Sequence, residues 1–108
     1  MNITAHRDGD GTARLTLDGD LDMATAGSLD GHVVRALTGE RPRQLVIDAA
    51  GLSFCDSSGI HALVRARDTA HRHGASFVVS NTTGITRRTL EITGLLGTLT
   101  TVSPRVTG

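Results

Sequence analysis

The chain has 108 residues, 38% of them apolar and 20% charged, with 13 glycines spread along its length; this suits one domain with a buried core and excludes wholesale disorder. Eleven arginines balance eleven acidic residues and there is no lysine, so no overall field draws the chain to nucleic acid or to an anionic membrane, and a phosphate-loop lysine, a Schiff-base amine and a Ser/Lys dyad are all excluded. Two Phe without Trp or Tyr offer no stacking platform for single strands, and one Cys with five scattered His makes neither a disulfide nor a zinc motif. The first residues lack an apolar signal core and no apolar run nears the ~20 residues that span a bilayer, so the expected location is cytoplasmic, with no cofactor and no metal.

No repeat or Pro-rich or Ser-rich linker interrupts the sequence, and one domain is expected over residues 1–108. Asp8-Gly9-Asp10-Gly11 is a strong turn signal, followed by Ala13, Leu15 and Leu17 alternating with Arg14, Thr16 and Asp18. A hairpin with strands near 2–7 and 12–18 is predicted. From Thr25 the spacing changes: Ala26, Leu29, Val33 and Leu37 share one helical face, and this helix ends near Thr38-Gly39. After Arg41-Pro42, the run Leu45-Val46-Ile47 predicts a strand at the sheet centre, covered on both faces.

Ile60, Leu63, Val64 and Ala70 form a second helical stripe, opening near Ser57-Ser58 and closing at His73-Gly74, where glycine suits a left-handed terminus. Phe77-Val78-Val79 predicts another strand, Ile85 to Ile92 a third helix stopping at Gly94, and Thr98 to Val102 a last short strand. The order β-β-α-β-α-β-α-β makes an α/β fold: a mixed central sheet with an N-terminal antiparallel hairpin and helical crossovers.

The stretch Leu52-Ser53-Phe54-Cys55-Asp56-Ser57-Ser58-Gly59 is the most informative, because it delivers hydroxyls to a helix start. Its simplest reading is that Asp56, Ser57 or Ser58 caps the helix, accepting from the first free amides. A nucleophile elbow G-x-S-x-G needs glycine at position 55, which is Cys55. Ser58 and His61 are three apart, but no orienting acid or oxyanion site accompanies them, so catalysis is not expected. Asp18, Asp20 and Asp22 begin like a calcium loop, yet the sixth position is Met23 and the twelfth Leu29 where glycine and glutamate are required.

Three segments together resemble the STAS domains, and within them the bacterial anti-sigma factor antagonists. Gly19-Asp20-Leu21-Asp22-Met23-Ala24-Thr25-Ala26 is similar to that family's G-x-L-D-x-x-T-A entry into its first helix. Leu45-Val46-Ile47-Asp48, with Leu52 through Ile60, is similar to its central strand and phosphoacceptor loop, and Leu90-Glu91-Ile92-Thr93-Gly94-Leu95 to its L-x-x-T-G-L signature. The resemblance covers residues 13–102.

This resemblance implies an anti-sigma factor antagonist that binds a serine-kinase anti-sigma factor while unphosphorylated, releasing a sigma factor for transcription. It implies that the kinase ends the interaction by phosphorylating Ser57, the first hydroxyl residue of D-S-S-G, and that a serine phosphatase resets the switch. No direct contact with nucleic acid or membrane is implied. Partner contacts are expected around Asp22, Thr25, Asp56, Ser57, Ser58 and Ile60. Cys55 departs from the Met or other apolar residue common at its position and reads as a packing variant rather than a redox sensor. The alternative within the family is a STAS scaffold that binds constitutively in a stress-sensing or transporter-associated assembly.

Overall fold

The structure is a computed structural model and describes residues 1–39 and 41–102. In β2 (Thr12–Leu21) the alternation of Ala13, Leu15 and Leu17 sets three apolar side chains on one face, none more than 2% exposed. β1 (Asn2–Arg7) lies antiparallel beside it, with Ile3 opposite Leu17 and Arg7 opposite Ala13. The turn between them is held by the Asp8 amide donating to the Thr12 carbonyl at 2.9 Å, and Gly11 takes φ +89°, a left-handed conformation that suits glycine. Hydrogen bonds from Thr12 hold the Asp10 carboxyl below its ordinary pKa.

β3 (Gln44–Cys55) runs parallel to β2, and β4 (Ser76–Ser80) parallel to β3, giving the order β1-β2-β3-β4. The crossovers are α1 (Ala26–Thr38), burying Ala26, Leu29, Val33 and Leu37, and α2 (Ser57–Arg72), burying Ile60, Leu63, Ala66 and Ala70 among others. Crossovers of one hand that step in the same direction lay their helices on the same face of a sheet. Both helices accordingly share one core cluster with Leu15, Leu17, Leu45, Ile47, Phe77 and Val79. α2 closes with Gly74 at φ +76° and the Ala75 amide donating to the Ala70 carbonyl at 2.9 Å, and α3 (Gly84–Thr93) closes the same way at Gly94. The fold class and the helical boundaries read from the sequence hold within a residue or two.

The structure departs from expectation at three places. The last element is not a strand: α4 (Leu96–Thr100) is a single helical turn. The left-handed Gly94 turns the chain back so that Leu95, Leu96 and Leu99 pack against the core, with Leu99 fully buried, and this apolar spacing overrides the β-branched residues after it. Val46 is 6% exposed yet stands outside the core cluster, flanked in register by Arg14 and Val78. Its burial comes from neighbouring strands at the sheet centre, so β3 is not covered by helices on both faces.

Third, the strand expected at Leu45-Val46-Ile47 runs on to Cys55, taking in the first residues of the stretch that leads to α2. Thr16 pairs with Asp48 but Asp18 with Gly51, and Gly19 pairs with Leu52 but Asp20 with Phe54, so β3 twice gains a residue on β2. A Cβ on Gly51 would stand 2.7 Å from the Leu17 carbonyl oxygen, which requires glycine at the first of these irregularities.

Gly51→Ala is therefore expected to lower unfolding free energy by about 1–3 kcal/mol, the usual range for forced overpacking. Gly27→Ala, on an exposed turn of α1 with nothing within 4 Å of its added Cβ, is expected to raise it by about 0.5–1 kcal/mol. Urea titration reads both, with the transition midpoints moving in opposite directions.

Candidate functional site

β2 and β3 leave the sheet together at the pair Leu21–Cys55, and the Asp56 amide donates to the Leu21 carbonyl at 3.3 Å. Asp56 is extended at φ −96°, ψ −170°, and its carboxylate accepts from the Gly59 amide at 3.0 Å, so it is the N-cap of α2. Ser57 is the first helical residue and is exposed, while Ser58 is half-buried. A Cβ on Gly59 would lie 2.5 Å from the Leu21 carbonyl oxygen and 2.8 Å from the Cys55 sulfur. The start of α2 thus rests directly on the end of β2.

The segment that follows Leu21 is fixed by its own side chains. One Asp22 carboxylate oxygen accepts from the amides of Ala24 at 2.9 Å and Thr25 at 3.1 Å. The Thr25 hydroxyl accepts from the Asp22 amide at 2.9 Å and donates to the Asp20 carbonyl at 2.9 Å. These bonds close a tight turn that feeds α1, with the Ala26 amide donating to the Asp22 carbonyl at 2.9 Å. Asp22 and Thr25 are builders of this loop, and the side chains it leaves outside are those of Met23 and Ala24.

Five of the six residues singled out from the sequence converge here: Asp22 and Thr25 from the β2–α1 loop, Asp56 from the cap, and Ser57 and Ser58 from the first turn of α2. Ile60 does not belong on this surface. It is 2% exposed and part of the core cluster, because it lies on the helical stripe of Leu63 and Ala70, which faces the sheet. Two residues that the sequence reading did not single out stand at the site's borders. Met23 is 81% exposed and Phe54 42%. The signal for both is apolar character out of step with its surroundings, between acidic and small residues for Met23 and on the outward phase before Cys55 for Phe54.

Cys55 is 2% exposed, and burial, with the Asp56 carboxylate adding to it, pushes its thiol from the ordinary 9.0 to about 11. Almost no thiolate is present at neutral pH, in keeping with a packing role. Asp20, Asp22 and Asp56 take part in no ion pair among the described residues; the arginines that pair do so with Asp8, Asp30, Asp68 and Glu91. Among the described residues no group of three His, Cys, Asp or Glu side chains is placed to hold a metal ion, and no helix is long and apolar enough to cross a membrane.

The family model for the STAS domain matches residues 4–107. The anti-sigma-F factor antagonist RsfB of Mycobacterium tuberculosis is 31% identical over 90 residues, which span 82% of this chain and 70% of that protein. The crystal structure of an anti-sigma factor antagonist from Mycobacterium paratuberculosis superposes with a TM-score of 0.75 at 29% identity, covering 91% of this chain and 83% of that one. The phosphorylated form of the Bacillus cell fate determinant SpoIIAA has the same fold, with a TM-score of 0.70 at 18% identity over 93% of this chain and 89% of its own.

Asp56→Ala is expected to cost about 1 kcal/mol of stability through loss of the cap, read by thermal or urea unfolding. The chain has no Lys or Tyr, so Cys55 is the one side chain that titrates between about pH 8.5 and 11.5. Its native pKa is raised above the unfolded value of 9.0, so its contribution to stability is intact below pH 9 and is lost as pH rises toward 11. Unfolding free energy should fall across that window in the natural protein, and a Cys55→Ala variant should lack the fall.

Proposed function

The chain belongs to the STAS domain family, and from that premise we propose that it is an anti-sigma factor antagonist switched by phosphorylation of Ser57. In this reading the unmodified protein binds a serine-kinase anti-sigma factor and so frees a sigma factor for transcription. The kinase ends the interaction by phosphorylating Ser57, and a serine phosphatase restores it. The antagonist part of the reading is supported by RsfB and the protein from Mycobacterium paratuberculosis, both named as anti-sigma factor antagonists.

The observation that carries the reading is the position of Ser57: exposed, first in α2, beside a cap already supplied by Asp56. Ser57 is therefore spared the structural duty that its neighbour performs, and its modification leaves the cap intact. A phosphoryl group there adds about −1.5 to −2 charges at the positive end of the helix dipole, where the first amides tolerate an anion. The fold survives, and the change is felt by the partner. A surface fitted to a neutral hydroxyl meets added bulk and a charge that must be desolvated, and each 1.4 kcal/mol of mismatch is about tenfold in affinity.

A hydrolytic role has no support in the arrangement. Ser58 and His61 make no hydrogen bond with each other among the described residues, and Cys55 is buried with its thiol held protonated. The protein acts in this reading by binding.

The test is capture from source-cell lysate with natural, Ser57→Ala and Ser57→Asp baits, with mass spectrometry of the retained proteins and of the modified residue. An anti-sigma kinase retained by the natural and Ala baits, at least tenfold depleted on the Asp bait, with phosphate mapped to Ser57, is the expected result. Equal retention on all three baits with no phosphate found would make the domain a constitutive scaffold and end the Ser57 assignment.

A further inference from the structure

Resting on the functional reading above, we propose that Met23 and Phe54 are the apolar anchors by which the anti-sigma kinase docks, at the same end of the sheet as Ser57, in a cleft of the kinase that is apolar at its centre and cationic at its rim. Two features of the β2–α1 loop direct the choice to Met23. The polar side chains of this loop, Asp22 and Thr25, are engaged in holding the loop's own backbone. Rigidity is thereby supplied to Met23 at the tip, which at 81% is more exposed than any other large apolar side chain of the described residues. A rigidly mounted, exposed thioether loses little backbone entropy on docking, and Met is enriched at interfaces because its flexible, polarizable chain fills irregular pockets.

Phe54 supplies the second anchor. It lies three residues before Ser57 and pairs in register with Asp20, while the next pair, Leu21–Cys55, is buried in the core. The two strands that carry Asp20 and Phe54 lie about 4.8 Å apart, and Met23 and Ser57 each stand two residues beyond the last pair. Met23, Ser57 and Phe54 therefore sit on one end of the sheet. The other exposed large apolar residues, Val34, Ile85, Ile92 and Val102, belong to α1, α3 and the segment after α4.

The charge around this end fixes the partner's chemistry. Asp18 and Asp20 are exposed and in no ion pair among the described residues, so the rim beside Phe54 calls for cationic side chains on the partner. An apolar centre with a charged rim is the ordinary anatomy of a specific interface. The anchors also sharpen the switch. With Met23 and Phe54 buried against the kinase, Ser57 is left in a dehydrated centre, where a neutral serine is tolerated and a phosphate is not.

The experiment measures calorimetric affinity for each anti-sigma kinase encoded in the source genome, purified separately, with natural protein and with Met23→Ser, Phe54→Ser, the double variant and Ile92→Ser. Met23→Leu and Phe54→Leu stand as fold-preserving companions, and thermal unfolding verifies every variant. The expected result is at least fivefold weaker binding for each single Ser variant, at least 25-fold for the double, near-natural binding for the Leu variants, and none of this for Ile92→Ser. In Ser57 phosphorylation assays the Ser variants should raise KM while leaving kcat within twofold, as expected for loss of uniform binding. Natural protein that binds a kinase while both Ser variants bind it within twofold would overturn this proposal and leave the functional reading standing. Natural protein that binds none of the kinases would overturn both.

Discussion

At Gly59 the first turn of α2 meets the Leu21 carbonyl and the Cys55 sulfur so closely that a Cβ would stand 2.5 Å from the oxygen and 2.8 Å from the sulfur. This contact joins three elements at one point: the end of β2, the end of β3 and the start of α2. The small, buried Cys55 side chain and the Gly59 Cα, which carries no Cβ, are complementary halves of it. A Cβ at Gly59 would push α2 off β2 and separate Ser57 from the β2–α1 loop. The paired irregularities in β3, with Gly51 pressed against Leu17, bend the strand so that it reaches this point in register with Leu21.

From that junction the site's division of labour follows. Asp56 caps α2, Asp22 and Thr25 cap the approach to α1, and both sets of bonds are local, made within three residues or so along the chain. The two carboxylates flanking this junction, Asp22 and Asp56, are thus committed to backbone amides. What this leaves uncommitted beside the cap is the Ser57 hydroxyl, on a rigid ledge. A switch of this kind needs no refolding: the structure that presents Ser57 does not depend on Ser57, so adding charge changes recognition and leaves the core alone.

Much of this is legible in the sequence where one period dominates. Ala26, Leu29, Val33 and Leu37 mark α1 unambiguously, Gly74 and Gly94 mark the ends of α2 and α3, and the turn at Asp8–Gly11 marks the hairpin. Legibility fails where two signals compete. β3 loses its alternation at its two inserted residues, so Leu52 to Cys55 reads as loop although it is strand. Thr98 to Val102 is β-branched, but Leu95, Leu96 and Leu99 find the core only if the chain takes a helical turn after Gly94. At the site, the segment Asp56–Ser58 is plain from D-S-S-G, whereas Ile60 reads as a partner contact by its proximity in sequence although the helical stripe it shares with Leu63 sends it inward. The internal bonding of Asp22 and Thr25 depends on a three-dimensional turn that residue types alone leave open.

The central claim is that phosphorylation of Ser57 acts locally on a ledge that keeps its shape. Amide NMR spectra of the unmodified and the stoichiometrically Ser57-phosphorylated protein test it most directly. The account predicts shift changes confined to residues 20–25 and 54–61, with the resonances of β1, β4 and α3 unmoved. Changes spread through the sheet and the distant helices would contradict it, and would make the switch a conformational one.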